Sequence, residues 1–316
     1  MAVRADARRQ PPLRRVPARR GGGWLARDHR RYALLFLLPA LAVLIGVIGV
    51  PLLDVLWLSL HDGRGVETGE FVGFEHYTEL VTDAQYLASL LRTIVWVAGT
   101  VALSMVLALA VALLLNRLPR WAGLLGIVVL LPWAMPRVAS GIIWKWMFND
   151  QYGVVNWLLT SLGFERFDGF SWFAQGETAF VAIGTASVWQ RVPFLAIALY
   201  GALSTVDRAV LEAARVDGAG SLRILLRITL PMIMPVLLIL IVLSSISSFN
   251  SFDYVFVMTT PAGGPNHETE LVSILTWVTG FGLLEQGRAA AIAVTSLLVL
   301  SALTAVYYRL SREERT

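Results

Sequence analysis

Thr93-Ile-Val-Trp-Val-Ala-Gly-Thr-Val-Ala-Leu-Ser-Met-Val-Leu-Ala-Leu-Ala-Val-Ala-Leu-Leu-Leu115 carries no charged side chain over its whole length. A helix needs about 20 mostly apolar residues to cross a bilayer, because each backbone N–H and C=O must be satisfied within the segment. This stretch meets that requirement, and five others resemble it: residues 32–60, 123–148, 178–203, 233–258 and 289–308. The composition agrees. Charged residues make up 15% of the 316-residue chain, against roughly 25% in soluble domains. The expected fold class is an all-α integral membrane protein with six transmembrane helices. The first stretch exceeds the apolar core of a cleaved leader, so it is expected to stay attached. Pro39, Pro51, Pro132, Pro136 and Pro193 are expected to kink spans rather than end them, since neighbouring helices can satisfy the freed carbonyls.

Arginine placement orients the spans. Ten arginines precede Tyr32, Arg117 and Arg120 follow the second span, and Arg208, Arg215, Arg223 and Arg227 follow the fourth. The alternate connections are poor in bases: residues 61–91 hold Arg64 against six acids, and residues 149–177 hold only Arg166. Both termini are therefore expected to be cytoplasmic. Residues 1–31 form a basic, Pro- and Gly-containing segment with too little apolar surface to fold alone, read as a mobile cytoplasmic tail. Its expected partner is anionic membrane lipid rather than nucleic acid. With no cysteine and four scattered histidines, no metal site and no catalytic constellation are expected.

The third cytoplasmic connection, residues 204–235, is the informative one. Ser204 and Asp207 have capping-box spacing, and Val206, Ala209, Val210, Ala213 and Val216 recur at helical spacing. Gly218 is suited to the left-handed turn that ends a helix, and Ser221 to capping the next. A short amphipathic helix, a corner and a second helix are expected outside the bilayer. Such a helix suits a groove on a soluble partner, or merely lies on the membrane surface.

Glu212-Ala213-Ala214-Arg-Val-Asp217-Gly218-Ala219, followed by Ile228-Thr-Leu230-Pro231, resembles the EAA loop of binding-protein-dependent ABC permeases. The maltose and glycerol-phosphate permease branch is most similar. Further blocks in the same order carry the resemblance across residues 32–310: Pro132-Trp-Ala-Met-Pro136, Trp144-Lys-Trp-Met-Phe-Asn149, Val188-Trp-Gln-Arg-Val-Pro193-Phe, Phe252-Asp253 with Gly263-Gly-Pro265, and Gly287-Arg-Ala-Ala-Ala291. Leu225, where the family has phenylalanine, and the stretch before the Gly-Gly-Pro depart from the pattern.

The resemblance implies the type I ABC importer permease fold over residues 32–316 and a bacterial inner-membrane location. It implies a transport subunit, not an enzyme, that moves a carbohydrate delivered by an extracytoplasmic sugar-binding protein. Glu212, Ala213, Ala214, Asp217 and Gly218 would form the coupling contact with two ABC ATPase subunits. No Gly-x-x-x-x-Gly-Lys-Ser/Thr phosphate cradle occurs in the sequence, so ATP and Mg are expected on the partner ATPase and no cofactor on this chain. A second permease subunit, related but different, is implied too.

The same resemblance places a substrate pathway at Trp133, Arg137, Ser187, Arg191, Ser244, Ser247, Ser248 and Ser251. Read from spacing, the four serines of the fifth span form a stripe that either lines a path or lets helices pack closely. Trp133 either stacks on a pyranose or is an ordinary core or interfacial aromatic. Arg137 and Arg191 lie inside spans, where a charge costs about 2.5–3.5 kcal/mol on insertion scales. They either meet substrate or pair with Asp253, Asp54 or backbone carbonyls. Competing classes are an ABC permease for a non-sugar solute and a stand-alone secondary carrier, although no internal duplication of the carrier kind stands out.

Overall fold

The computed structural model describes residues 25–65, 67 and 69–313. The chain divides into two compact units, Met1–Asp54 and Val55–Thr316. Most of the segment read as a tail lies outside the described residues. Helix α1, Leu25–Leu44, begins inside that segment, so residues 25–31 are helical rather than irregular. It continues through a π turn, Ile45–Gly49, into α2, Val50–Leu58. Phe36, Val47 and Leu53 are exposed apolar side chains here, as expected of a surface that meets lipid or protein rather than water.

In the second unit α3, Glu75–Thr82, leads into α4, Ala84–Arg117. Asp83 caps α4 by accepting from the backbone N–H of Gln85 and Tyr86. Then come α5, Ala122–Ala134, and α6, Arg137–Met147, bent by 90°. The third apolar stretch is thus a broken pair and not one kinked helix. Pro136 is the N-cap of α6 at ψ 133°, so it stands at a helix boundary where only a kink was expected. Helix α7, Val154–Ser161, precedes α8, Gly176–Ser204, which keeps Pro193 in its interior. After α9, Arg208–Val216, a one-turn α10, Ser221–Ile224, passes through a π turn into α11, Leu230–Phe249. The fifth span stops there: Asn250–Phe252 interrupts it, and α12, Asp253–Met258, is separate. Helix α13, Val272–Trp277, and α14, Gln286–Glu313, complete the chain. Among the described residues five helices are long and apolar enough to cross a membrane, or six if the bent pair counts as one span.

The core runs along α4 and α8. Ala108, Ala112, Ala182, Ala186 and Ala196 are fully buried, and small side chains let two long helices approach where no water is available to drive them together. Leu195, Leu199, Ile233 and Leu240 extend this seam to α11, while Trp96, Ile183, Met258 and Ile274 form its other half.

Two polar clamps fix the start of α4. Fully buried Glu270 accepts from Gln85 Nε2 (3.1 Å) and Ser89 Oγ (2.9 Å), and lies 2.6 Å from His267 Nδ1. A buried carboxylate is tolerable when donors surround it this way. Arg288 at the start of α14 pairs with Asp83 at the start of α4. Next to it, a Cβ on Gly287 would fall 2.0 Å from the His61 carbonyl oxygen, so only glycine admits that approach.

Candidate functional site

The break between α5 and α6 frees backbone that must find other partners. Gln190, inside α8, supplies one: its Nε2 donates to the Met135 carbonyl at 2.6 Å. Its Oε1 accepts from the Tyr254 hydroxyl, also at 2.6 Å, and Ser140 Oγ lies 3.3 Å from that hydroxyl. One buried chain of hydrogen bonds therefore ties the broken span to α8 and α12. Helices α6 and α12 meet closely at Gly141, whose Cβ position is 3.4 Å from Val257. Lys145 Nζ adds a bond to the Val257 carbonyl at 3.2 Å.

These elements enclose a cavity of about 470 Å³. Trp133, Arg137, Ser187, Arg191, Ser244, Ser247 and Ser251 all line it, although they come from α5, α6, α8, α11 and the break after α11. Ser248, expected with them, does not. It is fully buried, with its hydroxyl 2.8 Å from Thr100 Oγ1 on α4. The serine stripe thus splits: Ser248 is a packing contact and its three companions reach the cavity.

Trp133 is half exposed and stacks on Phe194, with ring centroids 5.5 Å apart at 20°. Arg137 pairs with Asp253 through one N···O contact of 3.5 Å, both side chains partly exposed. Of the partners considered for the arginines, Asp253 is the one this cation finds. Arg191 differs, donating to Thr100 Oγ1 at 3.3 Å and Ser187 Oγ at 3.4 Å. Among the described residues it has no carboxylate within 4.0 Å.

Gln190, Tyr254 and Phe194 also line the cavity and were missed in the sequence. A signal for Gln190 existed, since an amide inside an apolar helix demands a partner. Nothing in the sequence pointed to Tyr254, because its place depends on the interruption after α11.

The 204–235 connection folds largely as expected, with corrections at its caps. Asp207 itself caps α9 by accepting from Ala209 N–H, whereas Ser204 belongs to α8 and bonds back to Gly201. Gly220 is the N-cap of α10 and Ser221 makes no cap bond. Gly218 takes the left-handed turn at φ +80°, and Ala219 N–H bonds the Ala214 carbonyl across it. Ala214 is buried and holds α9 against the fold, while Glu212, Ala213, Asp217 and Gly218 are exposed. Val210 and Val216, at 41% and 87% exposure, put apolar side chains on the free surface of this short helix beside exposed Arg208, Glu212 and Arg215.

Residues 90–316 match the family model of the binding-protein-dependent transport system inner membrane component. The chain belongs to this family. As an inner-membrane transport component it is a multi-pass membrane protein. It is 37% identical to the diacetylchitobiose uptake system permease protein DasB of Streptomyces coelicolor, over 87% of this chain and 85% of that protein. The sulfoquinovosyl glycerol transport system permease protein SmoG of Agrobacterium fabrum is 33% identical, over 98% of this chain and 97% of that one. The trehalose/maltose permease protein MalF of Thermococcus litoralis is 32% identical, over 89% and 94%. Among solved structures, a chain of the bacterial alginate ABC transporter in complex with its pentasaccharide-bound periplasmic protein superposes with a TM-score of 0.79. That match covers 92% of this chain and 98% of the other at 21% identity, a likeness of fold.

Proposed function

We propose that this permease subunit moves a carbohydrate through the cavity between α5, α8, α11 and α12, driven by ATPases that grip α9. The observation that carries this reading is the convergence in one cavity of an exposed indole, four serine hydroxyls and two guanidinium groups. Indole and guanidinium planes suit a sugar ring and its hydroxyls, and serines supply short donors and acceptors. The named relatives serve diacetylchitobiose, trehalose/maltose and sulfoquinovosyl glycerol systems, which supports a sugar here.

The second half of the proposal concerns energy. Helix α9 offers Val210, Ala213 and Val216 on one exposed face, with Glu212 and Asp217 at its rim. That is the makeup of a helix seated in a groove of another protein. A nucleotide-binding subunit on the cytoplasmic side is the proposed occupant. Arginine clustering around residues 208–227 and before Tyr32 supports cytoplasmic placement of this loop and both termini. An extracytoplasmic binding protein and a second permease complete the assembly. Closure of the ATPases would displace α9 as a rigid body, and the Asp207 cap and the Gly218 turn keep it one.

Two substitutions separate the halves. Ala213→Arg should release the ATPase during purification while leaving the chain in the membrane. Ser247→Leu should keep the ATPase bound and abolish growth on the transported sugar. An Ala213→Arg chain that still carries its ATPase in full and supports growth overturns the coupling role of α9.

A further inference from the structure

The cavity holds more positive charge than it neutralises. Its ionised lining groups are Arg137, Arg191 and Asp253, two cations against one carboxylate. Asp253 is committed to Arg137. Arg191 meets only hydroxyls, at distances at the long end of hydrogen bonding.

The local network explains why those hydroxyls do not satisfy it. Thr100 Oγ1 donates to the Trp96 carbonyl at 2.7 Å and lies 2.8 Å from Ser248 Oγ, which leaves it a single lone pair for one guanidinium N–H. A guanidinium carries five N–H donors, and two weak neutral contacts use a minority of them. Holding a cation inside an apolar helix with neutral partners alone is costly, and a neutral sugar would not require it. Ser244, Ser247 and Ser251 already provide uncharged hydrogen-bonding groups in the same cavity.

We infer that the cavity selects a sugar bearing an acidic group, whose anionic oxygens take the open donors of Arg191 while the ring lies toward Trp133. The inference rests on the carbohydrate-permease reading and narrows its substrate class. Arg137 is the secondary contact, because its single bond to Asp253 can be exchanged for a bidentate one to an incoming carboxylate.

The test uses the intact importer in cells, with this chain deleted or restored. Cells are offered an anionic pool, oligogalacturonates and glucuronides, and a neutral pool, maltodextrins and chitin oligosaccharides. Depletion of each compound is followed by mass spectrometry. The expected result is removal of acidic sugars only when the chain is present, slowed at least about tenfold in Arg191→Gln and largely retained in Arg191→Lys. The charge-keeping variant guards against a folding defect, and the chain's abundance in membranes is measured alongside. Removal of neutral sugars alone overturns the inference and leaves the carbohydrate reading standing; a carboxylate supplied to Arg191 by another subunit would give that result. Equal loss in Arg191→Gln and Arg191→Lys, at equal abundance, also overturns it. Removal of neither pool overturns the carbohydrate reading itself, and the inference with it.

Discussion

Replacing Gln190 with leucine strikes the joint that holds the broken span. Leucine keeps most of the volume but removes the donor to the Met135 carbonyl and the acceptor of the Tyr254 hydroxyl, two bonds of 2.6 Å. Leaving a buried polar group unsatisfied costs about 1–3 kcal/mol each. Both costs fall toward the lower half here. The carbonyl borders the cavity, where water can reach it, and the Tyr254 hydroxyl keeps Ser140 within 3.3 Å. Gln190→Leu should therefore destabilise by about 2–4 kcal/mol in total. Tyr254→Phe strands Gln190 Oε1 and takes its 3.3 Å neighbour from buried Ser140 Oγ, and should cost about 1–3 kcal/mol. In the double variant the Tyr254 hydroxyl is gone, so the Met135 carbonyl and Ser140 Oγ are the groups left without their partners. The double variant's loss should be no greater than that of Gln190→Leu alone, a coupling of about 1–3 kcal/mol between neighbours. Thermal unfolding of the detergent-purified complex, with all three variants side by side, measures this. Losses that simply add, or a Gln190→Leu complex as stable as the parent, would refute the bridging role.

Three further outcomes are expected. A Cβ at Gly218 meets nothing within 4 Å, so Gly218→Ala acts through its φ of +80° alone, at about 1–2 kcal/mol; ATP-coupled uptake should fall, and Gly218→Asn should be milder. Ser248→Leu, at a fully buried seam between α11 and α4, should lower the amount of folded protein, while Ser247→Ala should leave the amount unchanged and weaken uptake. Glu270→Gln turns an acceptor-only group into one bearing an NH₂ among the Gln85, Ser89 and His267 donors, and should cost about 2–4 kcal/mol in thermal unfolding.

Hydropathy was enough to read the apolar spans and the helix at 208–216, because both are written in local periodicity. It could not separate α5 from α6: the α6 side carries Arg137, Ser140 and Lys145 and is less apolar than α5, yet the two together still pass as one span, and the joint is held by Gln190 from another helix. The end of α11 was invisible too: Ser251 and Phe252 do not differ in character from the residues before them. The serine stripe had the right members but the wrong uniformity, because which hydroxyl faces Thr100 depends on how α4 lies against α11. The pairing of Arg137 with Asp253 was one of the partnerships considered, and the solitude of Arg191 followed only from three-dimensional placement. At the loop, the corner at Gly218 was legible, whereas the capping box read from Ser204 and Asp207 starts the helix three residues too early, Asp207 being the cap itself.

The most direct measurement is purification of the tagged chain from native membranes under mild conditions, with mass spectrometry of what accompanies it. The coupling role of α9 requires a nucleotide-binding ATPase and a second permease in stoichiometric amounts, the ATPase being lost on Ala213→Arg. A chain that purifies alone in repeated preparations, yet still supports sugar uptake in cells lacking any associated ATPase, would contradict it.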